Sequence, residues 1–247
     1  MTSPLGQTKI SLSESEIQEI EEKYIGNSLV EYIALKYITA QVKVCFGNHI
    51  QIDMSTRNYG LYDYYDKLVS VQTLKKCNKQ FYVLFCQLIN PGIGHSTLIL
   101  VNNNTKTLEY FDPLGYTEKY NVQTIIKQIA DELKYNIDAS ALQCDVQNSR
   151  HNYKLPDIGY CTVFVFLYAL TRLDNPSLTP TNLCEEFKLF LKPKNVIEYI
   201  RKYTSRLTTD ITELGIKYKM NPTLTMNEFS AEFMSKGLLG TLMNELV

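Results

Sequence analysis

At 247 residues the chain is about one and a half times a typical domain, so one large domain, or one domain with an extension, is expected. Twenty-five Lys and Arg against 26 Asp and Glu leave a formal charge of −1, which offers no basic excess to nucleic acid or to an anionic membrane. Apolar residues at 45% suffice for a sizeable core and exclude wholesale disorder, and no run approaches the roughly 18 apolar residues of a membrane-spanning helix.

The start, MTSPLGQTKISLSESE, lacks the apolar stretch of a secretory signal. Residues 1–12 read as a loose arm. Ser13 and Glu16 then fit a capping box that opens the helix IQEIEEKYI, and SLVEYIALKYITAQ resumes a helical period after Gly26-Asn27. Between 41 and 80 the pattern weakens. VKVCF and IQI suit short strands, and the Tyr-rich RNYGLYDYYDK reads as a polar loop. FYVLFCQLI is a compact β-branched and aromatic run that suits a buried strand.

GHSTLILV and TLEYFD flank NNNTK, which is turn material. With Asn103-Asn104 as a two-residue hairpin loop, His95 falls directly opposite Asp112 on one side of the ladder. NVQTIIKQIADELKY follows as an amphipathic helix with Ile125, Ile126, Ile129 and Leu133 on one face. A polar connection leads to YCTVFVFLYALTRL, which reads as a buried helix starting near Cys161. DNPSLTP breaks the chain, NLCEEFKLFLK and VIEYIRKYTSRL are two further amphipathic helices, and the tail from Thr208 is less periodic.

Six Cys stand at 45, 77, 86, 144, 161 and 184, with no C-x-x-C pair and only three His, so a structural zinc site is not expected. The thiols are expected to be reduced, in a cytosol-like compartment. Cys161 is the sharpest nucleophile candidate. A thiol at a helix N-terminus feels the positive end of the macrodipole, and the adjacent N–H groups can face an oxyanion. Against this, a Cys in an apolar run more often serves packing. His95, after Pro91-Gly92-Ile93-Gly94, heads a strand and is the candidate base. His151, ten residues before Cys161, competes with it, and His49 has the weaker case. Asp112 reads blandly as an Asp-Pro turn and functionally as the carboxylate that fixes the His95 ring.

The order of His, an acid 17 residues later, and a Cys heading a buried helix resembles the papain-like cysteine proteases that include SUMO-processing enzymes and the adenovirus maturation protease. The pieces that carry the resemblance are GHSTLILV, LEYFDPLG and DIGYCTVFVFLYALTRLDNP, covering roughly residues 80–176. The last piece is most similar to a large-DNA-virus branch, where the helix after GYC ends in an Arg-Leu-x-Asn-Pro pattern, here Arg172 to Pro176. The resemblance implies an α+β papain-like fold with the catalytic Cys at the start of a buried helix packed on a mixed or antiparallel sheet. It implies Cys161 as nucleophile, His95 as base and then acid, Asp112 as orienting carboxylate, and no metal or organic cofactor. The SUMO-protease oxyanion Gln would fall at Leu155, a departure. The viral branch places it further upstream, which selects Gln147, with Gln143 in reserve. Ser96 stands where a Trp often follows the His, and the chain has no Trp at all.

These readings divide the chain into an arm at 1–12, an N-terminal helical elaboration at 13–80, a catalytic core at 81–206 and a C-terminal extension at 207–247. The implied activity is hydrolysis of peptide or isopeptide bonds at Gly-containing sites. The implied partner is a protein substrate, either a viral precursor polyprotein or ubiquitin or a ubiquitin-like modifier, in host cytoplasm or virion. No membrane partner is expected, and nucleic acid is expected only as a helper. An acyltransferase with the same triad and a non-catalytic binding module of the same fold are the alternatives.

Overall fold

The computed structural model describes Ser15, 44–45, 48–63, 67–90, 93–115, 122–138, Cys144, 161–190, 209–210, 212–224, 226–238 and Thr241. Its centre is an eight-stranded mixed sheet: β1 (Val44–Cys45), β2 (Asn48–Asp53), β3 (Asn58–Asp63), β4 (Leu68–Val69), β5 (Phe81–Asn90), β6 (Ile93–Asn102), β7 (Thr107–Phe111) and β8 (Asn136–Asp138). The spatial order is β4-β3-β2-β5-β6-β7-β8, with β1 beside the start of β5. The long β5–β6 hairpin is antiparallel, while β2 and β8 run parallel to their inner neighbours β5 and β7.

Strand alternation sends successive side chains to opposite faces. One face carries Leu84, Cys86, Leu88, Ile99, Val101, Leu108 and Tyr110, which pack on helix α1 (Val122–Leu133) and on Val71 and Leu74 of a 3₁₀ turn. The anticipated apolar face of α1 is the buried one: Ile125, Ile126, Ile129 and Leu133. The other face receives helix α2 (Cys161–Asp174) and, beside it, α3 (Pro180–Phe190). Phe111 of β7 stacks on Tyr168 at 4.0 Å, and Phe187 of α3 meets both rings edge-on. Helix α2 is buried on nearly every side from Cys161 to Ala169, which is why its sequence shows an apolar run and little periodicity. The fold is therefore α+β, with a buried Cys-headed helix on a mixed sheet.

The C-terminal end of α2 is fixed by a buried fork. Arg172 Nε and Nη2 donate to Glu109 Oε2 and Oε1 at 2.9 and 2.7 Å, and Nη1 donates to the carbonyls of Asn175 and Pro176 at 3.3 and 3.1 Å. The Arg-Leu-x-Asn-Pro ending is thus a strap from β7 through the helix end to the following turn.

Three expectations are corrected. The Tyr-rich segment read as a loop contains β3, which pairs with all of β2 through a turn closed by Arg57 at φ 57°. Gly60, Asn58 and Asp63 hid the strand, although Tyr59 and Leu61 pack on the α1 side and Tyr62 stacks on His49. The β6–β7 loop has four residues, not two. Asn102 pairs with Thr107, its Oδ1 accepts the N–H groups of Asn104 and Thr105, and Lys106 closes the turn at φ 56°. Finally, the cysteines are not all reduced. Cys45–Cys77 and Cys144–Cys184 form disulfides with Cα separations of 5.9 and 5.4 Å, within the span such a bond bridges. Pairs 32 and 40 residues apart leave no local spacing signal, and the cysteine argument for a cytosol-like compartment loses its basis. Cys86 and Cys161 are the thiols left outside disulfides. The helices expected over 17–25, 28–41 and 196–207, Gln143, Gln147 and His151 lie outside the described residues.

Candidate active site

Three side chains from three elements meet at the end of the sheet. His95 is the third residue of β6, opposite Leu88; Asp112 directly follows β7; Cys161 is the first residue of α2. All three are buried, at 7, 4 and 6% exposure. The four-residue loop shifts the β6–β7 register by two, so the residue facing Asp112 across the ladder is Thr97 rather than His95. A shift of two preserves the face, and His95 and Asp112 become diagonal neighbours on one side. The imidazole spans the diagonal: His95 Nε2–H donates to Asp112 Oδ1 at 2.7 Å.

That carboxylate oxygen also accepts the Leu114 N–H at 2.9 Å, and the Asp112 carbonyl accepts the Gly115 N–H at 2.9 Å. Gly115 lies at φ 74°, where a side chain would be strained. The turn that follows β7 is thus also what sets the Asp112 carboxylate against the His95 ring. The Asp-Pro-Leu-Gly turn holds the carboxylate still, and the held carboxylate aligns the ring.

With Nε2 committed to Asp112, Nδ1 is left for the thiol. Burial works against a charged His95, but hydrogen bonds to Asp112 and to Cys161, together with the negative charge on both, outweigh it and push His95 up to about 9 from an ordinary 6.5. The arrangement thus favours the imidazolium form of the ring at neutral pH. Cys161 Sγ in turn accepts the Ser96 backbone N–H at 3.4 Å. Its place at the head of α2 adds the helix dipole, so N–H donor, dipole and imidazolium all favour thiolate.

Ser96, in the position of the expected aromatic wall, is 5% exposed and points away from His95 into the α2 interface, where its Oγ meets Thr162 Oγ1 at 3.0 Å. A backbone donor such as Ser96 N–H has no sequence signature, and neither does Leu114 N–H. His49, the weaker base candidate, is seated on β2 against the Tyr62 ring at 5.5 Å. Among the described residues no group of three or more His, Cys, Asp or Glu side chains is placed to hold a metal ion, and no helix is long and apolar enough to cross a membrane.

No family model and no curated protein matches the chain. Solved structures with similarity include the Chlamydia trachomatis effector ChlaDUB1, at 12% identity and TM-score 0.49 over 79% of this chain and 87% of that one. The C-terminal Ulp1 protease domain in complex with Smt3, the yeast ortholog of SUMO, has 14% identity and TM-score 0.42 over 83% and 99% of the two chains. A de-sumoylating protease has 16% identity and TM-score 0.38 over 94% and 93%. At such low scores and identities these likenesses carry no inference about chemistry.

Proposed function

We propose that the chain is a cysteine peptidase in which Cys161 is the nucleophile, His95 the acid–base and Asp112 the orienting carboxylate. The observation that carries the reading is the buried relay itself, with Asp112 on one ring nitrogen of His95 at 2.7 Å and a helix-heading thiol hydrogen-bonded to the same ring. Such a relay costs desolvation of three ionisable groups, which an inert packing cysteine would not require.

The Cys161 thiolate attacks a carbonyl carbon, and the electron pair moves to oxygen, which accepts a hydrogen bond from the Cys161 N–H. Collapse of the tetrahedral species expels the amine, which takes the proton from His95 and leaves a thioester. His95, now neutral, takes a proton from water as the water adds to the thioester. The thiol leaves as thiolate, the acid product departs, and the imidazolium is restored. Gln147, with Gln143 in reserve, is proposed as the second oxyanion donor. Loss of one such donor typically raises the barrier by about 3 kcal/mol.

The substrate class proposed is a protein with a Gly-containing scissile site: the C-terminus of ubiquitin or a ubiquitin-like modifier, or a viral structural precursor. The discriminating experiment treats the chain with C-terminally electrophilic ubiquitin, SUMO and Gly-Gly peptide probes, alongside Cys161→Ala. Labelling that vanishes in the variant is expected, and labelling that persists there sinks the nucleophile assignment. Failure of every probe, with Cys161 still readily alkylated, would shift the reading to acyl transfer. Inertness of Cys161 to small alkylators would leave a binding module.

A further inference from the structure

We infer that Ser96 and Thr162 form a positioning clamp for the nucleophile, two hydroxyls whose mutual hydrogen bond sets the spacing of Cys161 from His95. The inference deepens the peptidase reading and rests on it. Ser96 directly follows His95 on β6, and Thr162 directly follows Cys161 on α2, so the bridge between them at 3.0 Å ties the two reacting residues together one position away on each chain segment. The same Ser96 presents its N–H to Cys161 Sγ at 3.4 Å. One residue of the strand thus grips two consecutive residues of the helix's first turn.

The neighbours make the hydroxyls informative. Phe111 and its ladder partner Leu98 meet Tyr168 of α2 at this sheet–helix interface, with Ser96 and Thr162 at 5 and 2% exposure. Burying two hydroxyls that share a hydrogen bond gains little over burying two apolar groups of the same shape. What the pair adds is direction, because a hydrogen bond fixes separation where apolar contact allows sliding. If α2 slides along β6, the N–H···S contact and the imidazole contact lengthen together, and the thiolate loses both supports.

The test is the pH dependence of Cys161 alkylation by iodoacetamide, mapped by mass spectrometry to separate it from Cys86, in the full chain and in Ser96→Ala, Thr162→Val, Thr162→Ser and the exchange Ser96→Thr with Thr162→Ser. The full chain is expected to alkylate well below the ordinary thiol range near 8.5. Ser96→Ala and Thr162→Val are expected to slow alkylation at pH 6 about fivefold, the worth of one ordinary hydrogen bond, and to move the profile upward. Thr162→Ser and the exchange, which keep both hydroxyls, are expected to retain the native profile. Thr162→Val keeps the shape and loses the hydroxyl, so it remains informative even if Ser96→Ala folds poorly. An unchanged profile in Ser96→Ala and Thr162→Val, whatever their melting temperatures, overturns the clamp. So does a profile that shifts equally in Thr162→Ser. If the full chain itself titrates as a free thiol, it is the peptidase reading that fails.

Discussion

Replacing Asp112 by Asn isolates the charge of the relay from its geometry. The amide carbonyl can still accept the His95 Nε2–H and the Leu114 N–H, the two bonds that Asp112 Oδ1 accepts, so the ring stays aligned while the negative charge disappears. In the native chain His95 is held at about 9 against an ordinary 6.5, a difference equivalent to roughly 3 kcal/mol in favour of the charged ring. Burial opposes the charge, and hydrogen bonds and negative charge from both Asp112 and Cys161 overcome it. Removing a hydrogen-bonded opposite charge typically moves a neighbour by about 1–3 pH units, so His95 is expected to fall to roughly 7 in the variant. The sign is definite. A raised His keeps its proton as pH climbs past its ordinary value and gives it up only through about 9. At pH 8 the native ring is therefore charged. In the Asp112→Asn variant it is mostly neutral, without a proton for the leaving amine. The assay is NMR titration of the ring Cε1–H signals, simple with three His in the chain and assigned by His95→Gln. Retention of a value near 9 in Asp112→Asn, or a native value near 6.5, would refute the assignment of the charge to this pair.

Three further substitutions or treatments test the scaffold. Glu109→Ala leaves Arg172 buried, at 4% side-chain exposure, without its carboxylate, and is expected to cost about 3–5 kcal/mol in urea unfolding. A cost under about 1 kcal/mol would mean the fork is dispensable. Tyr168→Phe removes a buried hydroxyl that has no hydrogen-bond partner among the described residues. The melting temperature should hold or rise, and a loss above about 1 kcal/mol would show that the hydroxyl is satisfied in solution. Opening the disulfides, across separations of 32 and 40 residues, is expected to cost about 4 kcal/mol each on chain entropy alone. Melts with and without reductant read this directly, and coincident melts would argue against the pairing.

The elements with a strong local signal were legible in sequence. Helix α1 shows its buried stripe because only one side meets the sheet, and β5 and β6 are apolar on both faces because helices lie on both. Strand β3 was not legible. Its pairing with β2 supplies the hydrogen bonds that Asn58, Gly60 and Asp63 do little to favour on their own. The disulfides were hidden for a related reason, since residues 32 and 40 positions apart become neighbours only after the chain has folded. Local pattern reports the face an element presents; it does not report what that face meets.

The site shows how a wrong register can still lead to the right neighbours. The two-residue loop put His95 squarely opposite Asp112, and the chain uses a longer loop because Asn102 folds its side chain over Asn104 and Thr105. Adding two residues moves the partner along the strand and leaves the face unchanged, so the carboxylate remains within reach of a ring that extends beyond its own Cβ. An error of one residue would have sent Asp112 to the opposite face of the sheet. Turn residues therefore fix the parity of the ladder more firmly than its register. A carboxylate meeting an imidazole needs only the parity. The sulfur contact is more demanding, because Ser96 N–H and His95 must approach one atom from adjacent residues of a single strand. That requirement falls on where α2 begins, and the hydroxyl following Cys161 is placed to set it.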